Sequence, residues 1–240
     1  MEETTNLKWF FPHIPGAWLA RPVLKKLAGT TITDVSSIGL DITDPEISYS
    51  LNSQAYRCEE VKEEYNEIII SLGMSCSFGL GVKNEETYAQ IISKTLNIPV
   101  LNFGVPGGSS DTVARTATCI IPYLVSRAKK ITVITGWPYS LRREIFLDKF
   151  KASINFQNEP PIKDFYDLID DTSNSYNQEK NQALVKAVCK SYNILLYEIP
   201  DSLYLNLDID KYERLYLKEW HQTVANWFLE QSSKKVLSIR

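Results

Sequence analysis

A serine that leaves a buried strand between glycines is placed to attack a carbonyl, and residues 71–82, Ser-Leu-Gly-Met-Ser-Cys-Ser-Phe-Gly-Leu-Gly-Val, supply one at Ser75. The apolar run Ile68-Ile69-Ile70 precedes it and a charged, helix-forming stretch follows. A strand that turns at once into a helix sets such a hydroxyl at the carboxyl edge of a sheet, where α/β proteins keep their reactive groups. Acyl transfer needs that hydroxyl, donors for the oxyanion formed on attack, and a base for the hydroxyl proton. The backbone N–H groups of Ser75 and Gly107 are the candidate donors, Gly107 lying in a second turn, Val-Pro-Gly-Gly at 105–108. His221 is the one histidine near the closing helix and the candidate base, although its place beside Trp220, Val224 and Phe228 also reads as an ordinary half-buried helix residue. His13, the only other histidine, stands in a proline-rich stretch and reads as a loop residue. Asn102, Arg142 and Arg143 are candidate ligand contacts, and Asp111 reads as a helix amino-terminal residue favoured by the dipole.

Alternating strands and helices must position these groups. Continuous β-branched or apolar runs predict strands over 66–73, 98–104, 130–137 and 193–199. Helical periodicity predicts helices over 84–97, 109–128, 177–192 and 217–235, with Pro122 expected to kink or divide the second. Strands alternating with helices imply a mostly parallel sheet between helical layers. Residues 138–176 follow no single period and read as loops and short helices over the strand ends. Residues 1–60 read as an amino-terminal extension, with edge strands within 30–42, packed on a main domain of 61–240.

Composition narrows the classes of partner. A formal charge of -3 and scattered basic residues leave no footprint for nucleic acid. No apolar run approaches the roughly 18 residues that span a bilayer, and the acidic start lacks the basic and apolar regions of a secretory signal, so no membrane partner and a cytoplasmic location are expected. Four dispersed cysteines without a Cys-x-x-Cys pair argue against a metal site, and neither glycine-rich turn has the spacing of a nucleotide cofactor fingerprint. No metal or cofactor is expected; the expected partner is a small ester or carbohydrate.

The two turns resemble those of the SGNH, or GDSL, hydrolases. Gly73-Met74-Ser75-Cys76-Ser77-Phe78-Gly79 is similar to their Gly-Asp-Ser-x-Thr-Phe-Gly, with Met74 for the Asp, and Asn102-Phe103-Gly104-Val105-Pro106-Gly107 matches their Asn-x-Gly-x-x-Gly. Residues 51–61 resemble an Asn-Ser-x-Gly-Tyr-Arg segment that precedes the first block in some of these proteins, with Ala55 for its Gly. The resemblance implies a three-layer α/β/α fold with a flavodoxin-like five-stranded sheet, Ser75 as nucleophile and Gly107 as oxyanion donor.

The resemblance fades after residue 136. The family's third block, Gly-x-Asn-Asp, is replaced by Gly136-Trp137-Pro138-Tyr139, which removes an oxyanion donor unless Tyr139, Ser140, Arg142 or Arg143 reaches in. Its closing Asp-x-x-His falls on Tyr212 and Leu215, and Asp208 and Asp210 have no histidine at the required spacing. Loss of the base in a serine hydrolase costs on the order of 10⁴ to 10⁶ in turnover. The expectation is therefore a scaffold for hydrolysis of a small acyl or acetyl ester through Ser75 with an incomplete triad; the alternative is an inactive relative kept for ligand or protein binding, or for a structural role.

Overall fold

The computed structural model describes residues 29–32, 46–138, 142–146, 153–154, 171–205 and 214–237. A short ribbon pairs β1 (Thr31–Ile32) antiparallel to β2 (Tyr49–Ser50). The chain then enters β3 (Tyr65–Gly73), turns through α1 (Ser75–Phe78) and a 3₁₀ turn (Asn84–Glu86) into α2 (Tyr88–Leu96), and returns as β4 (Val100–Gly104). Next come α3 (Ser110–Val125) and β5 (Ala128–Thr135), then β6 (Ile145–Phe146) paired antiparallel with β7 (Ser153–Ile154). Helix α4 (Asp171–Ser191), β8 (Leu195–Glu198), α5 (Asp201–Leu205) and α6 (Arg214–Leu237) complete the order.

The main sheet runs β4-β3-β5-β8, parallel throughout. Its interior strands are apolar on both faces because both are covered, as parallel sheets require. On one face Ile68, Ile70, Leu101 and Val133 pack with Val113, Ala117 and Ile121 of α3 and Val185 and Cys189 of α4. On the other, Ile69, Val100, Ile134 and Tyr197 pack with Tyr88 and Ile92 of α2 and Trp220, Val224 and Phe228 of α6. The expected three-layer arrangement is thus present, with four strands among the described residues where five were expected. Ile47, Tyr49, Leu51 and Tyr56 belong to the first of these clusters, so the described part of the amino-terminal 60 residues shares the domain's core.

Two local expectations need correction. Pro122, expected to kink or divide its helix, does not divide it: α3 continues to Val125, and the proline lies exposed in its last turn. Helix α4 begins six residues before the expected 177, because its first buried positions, Asn174 and Asn177, are polar and carry no hydrophobic signal. The second strand of the ribbon is β2, beyond the 30–42 stretch. His13, Tyr139, Ser140, Asp208, Asp210 and Tyr212 lie outside the described residues.

In this order β3 is followed by β4 on one side and has β5 on the other. The carboxyl ends of β3 and β5 therefore flank a topological switch point, where open α/β sheets bind ligands.

Candidate functional site

Ser75 opens α1 directly above that switch point. The single turn Ser75–Phe78 ends at Gly79, whose left-handed backbone (φ 83°) returns its N–H to the carbonyls of Ser75 and Cys76. Helix α1 lies close over the end of β4. A side chain at Gly104 would collide with the backbone of Ser77 and Phe78, so only glycine lets β4 pass beneath. Asn102 fixes this contact, since its amide donates to the Ser77 carbonyl at 2.7 Å and its oxygen accepts the Gly104 N–H at 3.0 Å. Both ends of the Asn102 side chain are thus used within the chain, and the residue is buried.

The far side of the turn is held by Arg57. Its guanidinium is buried against the Tyr49 ring, 4.5 Å from the centroid, and donates to the carbonyls of Ser48, Phe78, Gly79 and Val82. Burial lowers its pKa to about 10, opposed by Tyr49 and Glu85, which leaves it charged at neutral pH. A cation shared by the Phe78, Gly79 and Val82 carbonyls closes the 78–82 loop as backbone pairing would, and ties it to Ser48. Asn52 organises the approach to Arg57, accepting the N–H groups of Gln54 and Tyr56 at 3.0 and 2.9 Å. Between them Ala55 sits at φ 64°, the left-handed region, at the position where the resembling segment has glycine.

Gly107 stands where the second turn meets α3, with φ 73°. Ser109 caps that helix, its hydroxyl accepting the Thr112 N–H at 3.3 Å. Ser75, Cys76, Gly107 and Arg142 are all half-buried, in contrast to the buried residues packed beneath them.

Arg142 joins the site from the segment after β5. Its Nη1 donates to the Met74 sulfur at 3.7 Å, and its charge acts on the Cys76 thiol, so it reaches the residues on both sides of Ser75. Burial pushes the Cys76 pKa up to about 11 despite Arg142 and a hydrogen bond with Ser75, so Cys76 stays a thiol. Arg143 points elsewhere: its Nε donates to Asn174 Oδ1 at 2.9 Å and its Nη2 to the Ser173 carbonyl at 2.8 Å. Pro138 is buried just beyond β5, and neighbouring Trp137 donates its indole N–H to Glu198 at 2.9 Å.

His221 lies in the helical layer formed by α2 and α6. It is 1% exposed, with its ring against Tyr88 and Trp220 at centroid separations of 5.6 and 5.0 Å. The Tyr88 backbone N–H donates to Nδ1 at 3.1 Å. Burial, reinforced by Arg57 and opposed by Glu86, lowers the imidazole pKa to about 3. The ring is therefore neutral, with Nδ1 as acceptor and its proton on Nε2. Neither its hydrogen bond nor its ring contacts involve the Ser75 turn. Leu215, at the family's histidine position, falls in the first turn of α6.

Several contributors were not visible in the sequence as site residues. Arg57, Met74 and the Glu144 brace described below act through contacts distant in the chain. The burial of His221 did have a signal: Leu217, Trp220, His221, Val224, Ala225 and Phe228 recur at helical spacing, and all are buried. No group of residues suited to a metal ion occurs among the described residues, and no helix described is long and apolar enough to cross a membrane.

No protein-family model and no curated protein matches the chain. Among solved structures it overlaps a lipolytic protein of the G-D-S-L family from Desulfitobacterium hafniense, at 17% identity over 68% of this chain and 97% of that one, with a TM-score of 0.34. A member of the lipolytic protein G-D-S-L family from Veillonella parvula overlaps at 14% identity over 68% and 97%, with a TM-score of 0.31. Superpositions this loose say nothing of the chemistry, which rests on the side chains themselves.

Proposed function

We propose that this chain holds a small acyl or carbohydrate ligand at the Ser75 turn without hydrolysing it, on a scaffold that resembles an SGNH hydrolase. One observation carries the reading: the only described histidine has its acceptor nitrogen filled by the Tyr88 N–H and its ring sealed in the core. A serine hydroxyl needs a base with a free lone pair and a pKa near the working pH. His221 offers neither, as its Nδ1 is occupied and its pKa is about 3. The oxyanion side is also thinner than in the resembling family, because Pro138 stands where an asparagine donor is expected and has no N–H.

The features that favour binding are a half-buried residue, Ser75, at the carboxyl end of β3, an arginine, Arg142, on its neighbour Met74, and a left-handed glycine, Gly107, on the turn after β4. The rival reading, ester turnover through Ser75, rests on the same hydroxyl and needs a base from outside the described residues. Hydrolysis of p-nitrophenyl acetate by the wild type and Ser75→Ala, between about pH 6 and pH 9, separates the two. Binding without catalysis predicts equal rates in both proteins. A wild-type rate about 10³-fold or more above that of Ser75→Ala, of the order a working base supplies, overturns it.

A further inference from the structure

We propose that the ligand of the Ser75 turn is a carboxylate, a small carboxylic acid in its ionised form whose oxygens meet the Arg142 guanidinium and the Ser75 hydroxyl. This rests on the non-catalytic reading above and adds the chemical class of the ligand. The starting point is an imbalance of charge. Arg142 is half-buried, and its partner beside the turn is a thioether, a weak acceptor that leaves most of its donors without a hydrogen-bond partner among the described residues.

Among the described residues, the two carboxylates bonded to its segment, Glu144 and Asp111, are committed elsewhere. Glu144, two residues on, takes Arg115 on both oxygens, Nε to Oε2 at 2.8 Å and Nη2 to Oε1 at 2.6 Å, and the Thr112 hydroxyl at 3.3 Å. Asp111 accepts Asn177 and Asn181 on one oxygen, both at 2.8 Å, and the Glu144 N–H on the other at 3.0 Å.

The same bonds fix the direction of Arg142. Glu144 is tied to α3, and Arg143 is tied to the start of α4 through Asn174 and Ser173. Asn174, Asn177 and Asn181 form a buried polar stripe on α4 that receives this segment. With two of its three residues stapled to the helices, segment 142–144 presents the third to the turn. A guanidinium held ready in this way loses little freedom on pairing, and its planar fork suits the two oxygens of a carboxylate.

One guanidinium and one hydroxyl match a single negative charge. A phosphate dianion calls for a second cation, and Arg115 and Arg143 are already engaged. A neutral ester offers Arg142 no charge to pair with, so the guanidinium favours the free acid over the ester.

The test is calorimetric titration of the full chain with butyrate, with inorganic phosphate and ethyl butyrate as comparators. The expected result is saturable binding of butyrate at one site, tighter than either comparator. Arg142→Gln should weaken it about 10- to 100-fold, the range for losing a charged hydrogen-bond partner, and Arg142→Lys by less. Lys94→Gln, on the exposed end of α2, should leave it unchanged, and thermal melts establish that each variant is folded. Absence of butyrate binding by folded wild type, tighter binding of phosphate, or an unchanged affinity in Arg142→Gln overturns the proposal. Ser75-dependent release of butyrate from ethyl butyrate is a separate outcome: it overturns the non-catalytic reading, and with it the claim that the acid is ligand rather than product.

Discussion

The two halves of the hydrolase-like arrangement are built on different terms. The Ser75 turn is held by Arg57 on four carbonyls, by Asn102 at both ends of its side chain, and by Gly104 beneath it. The histidine half has no comparable structural duty near the turn: Leu215 begins a helix, and His221 serves the packing of α2 against α6. A motif that the fold needs for its own stability can stand without chemistry, whereas a base that only chemistry needs cannot be inferred from it. The nucleophile turn alone is therefore poor grounds for assigning catalysis.

That contrast can be broken most forcefully at Arg57. Replacing it with alanine strips its guanidinium from the buried Phe78, Gly79 and Val82 carbonyls and from the link to Ser48, and the expected loss is about 3 to 5 kcal/mol. Urea denaturation of Arg57→Ala measures it. A loss under about 1 kcal/mol would mean that the turn is not held as described.

The histidine half makes a prediction in pH. Unfolded His221 binds a proton below about 6.5, while the folded chain resists protonation until about 3, so the unfolded state carries more protons between those values. Stability should fall as pH drops through this window, by up to about 1.4 kcal/mol per pH unit from this residue, with no contribution above it. His221→Gln, which keeps an acceptor for the Tyr88 N–H, should flatten the curve between pH 6.5 and about 4 relative to wild type. Identical slopes would place a charged or exposed imidazole where the structure has a neutral, buried one.

Asn102→Ala sharpens the turn half at smaller scale. It strands the Ser77 carbonyl and the Gly104 N–H, at an expected cost of about 2 kcal/mol, read as a fall in Tm of a few degrees. Ala55→Gly should have the smallest effect. Relief of the left-handed backbone, about 1 to 2 kcal/mol, is offset by the freedom of the unfolded glycine and by loss of a buried methyl, so the melting temperature should move by no more than a few degrees.

Much of this was legible in the chain because it follows period and turn chemistry. The β-branched run of β3, the glycines of both turns and the helical spacing of α2 and α6 mark a parallel sheet with its reactive edge at Ser75. What stayed hidden depends on long-range contact. Nothing local to Arg57 says that it reaches residues 78–82, and nothing in Leu-Arg-Arg-Glu at 141–144 says which arginine faces the site. The Asn174, Asn177 and Asn181 stripe reads as solvent-facing, since buried asparagine leaves no apolar signature. His221 is the instructive case. In the sequence it reads as a half-buried neighbour of the Trp220, Val224 and Phe228 stripe and as the candidate base, whereas the structure buries it fully against Tyr88 and Trp220.

Whether Ser75 is an activated nucleophile is the claim from which the rest follows, and an organophosphonate tests it without assuming a substrate. Wild type and Ser75→Ala would be incubated with a fluorophosphonate near pH 8 and their intact masses compared. The account predicts no stoichiometric adduct on either protein, since an unassisted serine hydroxyl reacts too slowly to be titrated. One adduct per chain on the wild type, mapped to Ser75 and absent from Ser75→Ala, would contradict it and show that a base does reach the turn.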